Sequence, residues 1–187
     1  MSFDKGAMRG ALTEHNPVDP RFTAEILAML QTGARVAVVG TPPSLTGLCE
    51  GLAGWRHVEP IMIQTATLGP EEAFVSGLER VAGLVESQTT APVGLFGRQP
   101  DMLDRVARAI VTLRDQEEPP ILVLAGFDRL MHDRHYSLIA AYRSAIQMAE
   151  DVPVVYLVGA AGCGILGEGF AGAVPVDSDR RTADEHR

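Results

Sequence analysis

The amino-acid sequence predicts an α/β fold, a three-layer sandwich with helices on both faces of a mostly parallel sheet. The first observation is a set of short, continuous apolar runs at 36–39, 122–124 and 154–157, which is typical of strands buried on both faces. The second is that amphipathic segments separate these runs, and alternating strands and helices favour parallel strands joined by helical crossovers. We expect the three runs to be neighbouring parallel strands in one buried sheet.

Composition limits the chain to one domain and argues against several classes of function. Its 187 residues, 46% hydrophobic and 21% charged, suffice for one core. The net charge of −8 and the pI near 5.1 disfavour nucleic-acid binding, because a phosphate backbone is repelled unless a basic patch is present. No apolar run reaches the roughly 20 residues of a membrane span. Cys49 and Cys163 lack zinc-site spacing, and no signal peptide is recognised, so we expect a cytoplasmic protein.

The elements are predicted in order along the chain. Residues 1–20 contain turn formers and indicate an extended lead-in, 21–176 a single domain, and 177–187 a polar tail. Apolar residues at helical spacing predict helices at 21–30, 48–55, 69–87, 100–116 and 135–151. Apolar runs predict strands at 35–40, 58–66, 152–161 and from 119 onward. After Gly162 the sequence is glycine-rich and then polar.

The turn after the first strand has the frame of a phosphate-binding loop without its defining residues. Such a loop has the spacing G-x-x-x-x-G-K-[ST], in which backbone amides wrap the phosphates, the lysine neutralises them and the hydroxyl holds magnesium. Here the second glycine falls on leucine, the lysine on threonine and the hydroxyl residue on glycine, and two prolines remove amide donors. An ordinary strand-turn-helix connection fits the same residues. The segment comprises Gly40, Thr41, Pro42, Pro43, Ser44, Leu45, Thr46 and Gly47.

The strand that begins near residue 119 lacks the acids that a phosphate-loop NTPase needs. In that class, acidic residues at the end of a strand hold magnesium and polarise the attacking water. Ala125 and Gly126 occupy those positions here. Asp128 lies three residues beyond Ala125 and could substitute for the missing acid. An aspartate at the start of a helix is also a common cap.

Four segments, taken in order, resemble one family: "RFTAEILAMLQTGARVAVVGTPPSLTGL", "TATLGPEEAFVSGLERV", "ILVLAGFDRL" and "YRSAIQMAEDVPVVYLVGAAGCGILGEGF". They are similar to the nucleotide-binding core of the AAA+/STAND group of P-loop ATPases, in the archaeal-type ATPase branch related to origin-recognition proteins. The resemblance covers about residues 21–170 and implies a sheet of the P-loop NTPase type. It also implies that a sensor strand ends at Ala160 and Ala161, where the family has a small polar residue that reads the γ-phosphate. The family continues into a helical lid and often a winged-helix domain, and we expect this chain to lack both.

Two further patterns have ordinary explanations. The stretch "GCGILG" at 162–167 matches the dinucleotide fingerprint G-x-G-x-x-G, but that fingerprint opens a βαβ unit with an acid about 20 residues on. A glycine loop at the end of a strand fits better. His132 and His135 have a spacing that could place them on one helical face for a metal, but no third ligand is near. Solvated histidines are the simpler interpretation.

These observations predict a catalytically inactive, P-loop ATPase-like domain that binds or regulates another protein. The departures at Leu45, Thr46, Gly47, Ala125 and Gly126 fall on separate segments that meet at one site in the implied fold. We therefore expect no cofactor, and as partner another protein, either a related ATPase or a second copy of the chain. The alternative is an unorthodox NTPase that binds ATP or GTP with magnesium through Asp128 or through residues of a partner. A dinucleotide-dependent enzyme rests on "GCGILG" alone.

Overall fold

Helices and strands alternate along residues 18–39, 45–63, 67–84, 101–132, 135–158 and 174–177, the part of the chain that the computed structural model describes. The helices are α1 (Pro20–Gln31), α2 (Leu45–Leu52), α3 (Pro70–Val81), α4 (Met102–Arg114), α5 (Asp128–His132) and α6 (Tyr136–Gln147). The strands are β1 (Val36–Val39), β2 (Val58–Met62), β3 (Ile121–Ala125), β4 (Val154–Val158) and β5 (Val174–Asp177).

Local sequence signals explain where the first and third helices begin. Asp19 precedes α1, and its side chain accepts a hydrogen bond of 2.8 Å from the backbone N–H of Arg21. Pro20 occupies the first turn, where a missing N–H has no intrahelical partner to lose. α3 begins in the same way with Pro70, followed by two glutamates whose charges suit the positive end of the helix dipole. Both helices were predicted, although α3 ends before the predicted residue.

The strands form one parallel sheet in the spatial order β2-β3-β4-β1-β5. β4 lies between β1 and β3, so that Val155 is paired with Val36 on one side and with Val123 on the other. The prediction that the three apolar runs are neighbouring parallel strands is confirmed. Because β2 lies beyond β3 and β4, the connection from β1 to β2 crosses two strands before the chain returns.

The fifth strand was missed from the sequence. β5 pairs in parallel with β1, with Val176 beside Val38. It lies within the part of the chain that the sequence analysis described as glycine-rich and then polar. Its four residues include a proline and an aspartate, both unfavourable in strands, so propensity does not identify it. β5 forms because one side of β1 is free to hydrogen-bond with this short segment.

Helices cover both faces of the sheet. On one face α3, α4, α5 and α6 pack over strand residues that include Leu124 and Tyr156. On the other face α1 and α2 pack over Val38, Val123 and Leu157. Successive strand residues point to opposite faces, so the inner strands contribute to both cores and must be apolar at every position. The predicted three-layer sandwich is confirmed.

Proline occupies an outward-facing position in both edge strands. The His57 carbonyl and the Ile63 N–H bond to β3, and alternate residues of a strand turn their peptide groups to the same side. Those of Pro60 therefore face away from β3, and Arg80 of α3 donates a hydrogen bond of 3.1 Å to the Pro60 carbonyl. At the other edge, the N–H of Val174 donates to the Arg35 carbonyl at 2.8 Å. The peptide groups of the next residue, Pro175, therefore face away from β1. Proline has no N–H to offer an added strand, so both edges resist pairing with another chain.

A salt-bridge network joins α3 to α4. Arg105 of α4 donates from Nε to Glu79 Oε1 at 2.9 Å and from Nη2 to Glu79 Oε2 at 2.7 Å. The same guanidinium donates to Glu72 at 3.0 and 3.2 Å, and Ser76 donates to Glu72 at 2.7 Å. The hydrogen bonds from Arg105 and Ser76 hold the pKa of Glu72 below its usual value. Because Glu79 is buried, this carboxylate depends on the guanidinium for its solvation.

Candidate functional site

The candidate site lies at the edge of the sheet where the parallel strands end. Val39 of β1 is paired with Val158 of β4, and Ala125 of β3 with Leu157 of β4, so the three inner strands end side by side. In open α/β sheets ligands bind in the crevice outside the carboxyl ends of the strands. In the sequence, the segments singled out above follow the ends of β1, β3 and β4, and it is these strand ends that the sheet places side by side.

The phosphate-loop segment connects β1 to α2 at this edge. Gly40, Thr41, Pro42, Pro43 and Ser44 lie outside the described residues. Leu45 begins α2 and is half-buried, Thr46 is exposed and Gly47 is half-buried. The first turn of α2 thus contains no lysine or arginine at the position from which a phosphate would be neutralised.

At the second of the two expected acid positions, residue 126, the backbone favours glycine. Ala125 is the last residue of β3, and Gly126 follows in a turn with φ of +80°, where its N–H donates to the Leu157 carbonyl at 3.2 Å. L-residues adopt this left-handed conformation at a cost of about 1–2 kcal/mol, whereas glycine adopts it freely. Most L-residues would be strained at position 126, aspartate and asparagine less than the others, so the local backbone favours the glycine that stands there.

Phe127 anchors this turn in the core below the candidate site. It is fully buried, and its ring centroid lies 5.6 Å from that of Phe74, 5.5 Å from that of Tyr142 and 5.3 Å from that of Tyr156. The two tyrosine hydroxyls share a buried hydrogen bond of 3.0 Å, and burial raises the pKa of Tyr156 to about 12. Ring pairs at these separations stabilise one another beyond their burial, so the aromatic cluster holds the turn of Gly126 firmly against β4 and α6.

Asp128 and Arg129 follow this turn at the start of α5. Asp128 is half-buried and forms no hydrogen bond or ion pair within the described ranges. Arg129 is exposed, and its Cδ and Nε atoms lie 3.6 and 3.7 Å from where a Cβ on Gly126 would stand. A cationic side chain thus borders the position at which an ATPase would hold carboxylates. The sequence analysis overlooked Arg129, whose N–H donates to the Gly126 carbonyl at 3.1 Å at the start of α5.

For the remaining sequence candidates, the described residues show no assembled site. Ala160, Ala161 and the stretch "GCGILG" lie outside the described residues. The strands that flank that stretch, β4 and β5, are separated by β1, whereas the dinucleotide fingerprint joins strands that are neighbours in the sheet. His132 ends α5, and His135 instead contacts the Glu71 carboxylate of α3. Among the described residues, no group of three or more histidine, cysteine or acidic side chains could hold a metal.

Comparison with solved structures places this arrangement of strands among known folds. No protein-family model and no curated protein matches the chain. A structure of Drosophila ORC bound to DNA superposes with a TM-score of 0.53 at 10% identity, over 84% of this chain and 87% of that one. The structure of the Aeropyrum pernix ORC1 protein in complex with DNA gives a TM-score of 0.51 at 14% identity, over 90% of this chain and 46% of that one.

The fold of this chain is that of the AAA+ P-loop ATPases. A second Drosophila structure, of ORC bound to AT-rich DNA and Cdc6, has a TM-score of 0.53 at 10% identity, over 84% of this chain and 52% of that one. The chain therefore spans about half the length of two of these three structures. At such low identity the likeness concerns the fold alone. No helix in the described ranges is long and apolar enough to cross a membrane.

Proposed function

We propose that this chain is a catalytically inactive member of the AAA+/STAND type, a pseudo-ATPase domain that binds or regulates another protein. The observation that supports the proposal best is the pair Ala125 and Gly126 at the end of β3, with Gly126 in the left-handed conformation. Magnesium needs oxygen ligands, commonly carboxylates, at this edge. The residues present do not fit a magnesium ion, because Ala125 supplies no oxygen from its side chain and Gly126 has no side chain.

The segment 40–47 that follows β1, which has the frame of a phosphate loop, supports the same conclusion. Phosphoryl transfer depends on positive charge near the phosphates and on positioned backbone amides. Thr46 stands where the lysine belongs and is exposed in the first turn of α2. Pro42 and Pro43 have no N–H, so two of the amides that could wrap a phosphate are missing. We therefore propose that the chain uses no nucleotide cofactor.

A protein is the proposed partner. The related structures include complexes with DNA and with Cdc6, but the net charge of −8 works against a DNA phosphate backbone. Both edges of the sheet resist strand addition, so a partner would contact helices, loops or the two ends of the strands. Candidate partners are a related ATPase and a second copy of the chain.

The second candidate function is an NTPase that uses Asp128. The observation in its favour is that this carboxylate is half-buried, has no bonding partner within the described ranges and lies close to the candidate edge. In that case ATP or GTP with magnesium would be the cofactor, and a partner would supply the missing cations. The place of Asp128 after the buried Phe127, beyond the end of β3, weighs against this role.

Nucleotide binding and hydrolysis distinguish the two functions. We expect ATP and GTP, with and without magnesium, to leave the melting temperature unchanged, whereas a ligand at 100 times its dissociation constant would stabilise the protein by about 2.7 kcal/mol. We also expect no hydrolysis above a blank and none after Thr46→Lys, because residues that act as a unit are not rescued singly. Turnover of about 1 per second that disappears in Asp128→Ala would establish the NTPase instead.

A further inference from the structure

We draw no further inference here: the strongest candidate, the surface patch beside the contact between His135 at the start of α6 and the Glu71 carboxylate of α3, where Leu68 and Tyr136 are exposed, carries nothing, because nothing in the described part of the chain shows which ligand or partner covers it.

Discussion

Replacing Gly126 tests whether its backbone conformation sets this turn apart from a magnesium site. With φ at +80°, alanine at this position has to adopt the left-handed region, at a cost of about 1–2 kcal/mol. The added Cβ would meet Arg129 Cδ at 3.6 Å and Nε at 3.7 Å, which is ordinary contact, so no steric penalty is added. Alanine also reduces the freedom of the unfolded chain, which returns about 0.4–1 kcal/mol. The expected net loss is about 1 kcal/mol.

Thermal and urea unfolding measure this loss. For a domain of this size, a loss of about 1 kcal/mol lowers the melting temperature by about 2–4 °C. Gly126→Asn is the matched variant, because asparagine adopts the left-handed region more readily than alanine, and it should lose less. Gly54→Ala is the control, since Gly54 is exposed, has no atom within 4 Å of an added Cβ and does not have a left-handed φ. If Gly126→Ala unfolds at or above the wild-type temperature, the argument that this backbone conformation favours glycine is wrong.

Three further outcomes are expected elsewhere in the core. Arg105→Ala should destabilise the protein by about 3 kcal/mol in urea unfolding, because the buried Glu79 carboxylate loses its bidentate partner; a loss below about 1 kcal/mol would show that Glu79 reaches solvent. Because folding lowers the pKa of Glu72, its carboxylate stabilises the fold above its unfolded-state pKa of about 4.3, and this stabilisation is lost as pH falls through the lower folded value. Glu72→Gln should therefore flatten the acid side of a curve of stability against pH. An unchanged curve would contradict this. Tyr156→Phe should cost about 1–3 kcal/mol, because it leaves the buried Tyr142 hydroxyl without this bond, and Tyr142→Phe in the same chain should restore part of the loss; full additivity of the two changes would argue against a shared hydrogen bond.

The layers of the fold could be predicted from the sequence because the inner strands are buried on both faces. A run such as "RVAVV" has no polar alternation, which only a covered parallel sheet explains. β5 could not be predicted in this way. It contains a proline and an aspartate, and its pairing depends on the side of β1 that β4 leaves open, which is a tertiary property. The end of β2 was also placed too late, since apolar residues after Met62 continue the pattern after the strand has ended.

The candidate site was predicted as a set of residues but not as a geometry. Spacing within the sequence identified the absent lysine at Thr46 and the absent acids at Ala125 and Gly126. It could not reveal that Gly126 is left-handed, that Phe127 locks the turn into an aromatic cluster, or that Arg129 borders the same position. The aromatic cluster arises from contacts between segments far apart in the sequence, and the other two properties depend on backbone angles that residue spacing does not give. The absence of nucleotide and the identity of the partner stay predictions.

The place of β1 in the sheet fixes the order in which a growing polypeptide can complete its structure. Among the described strands, β1 is made before both of its sheet neighbours, β4 and β5, which follow only after β2 and β3 have been made. Until then its apolar residues have two open hydrogen-bonding sides, a condition that promotes aggregation of nascent chains. Closing so long a loop is also slow, because the entropy is lost before the contacts form. β2 and β3 can pair earlier, so β1, an inner strand of the finished sheet, is among the last to find its place.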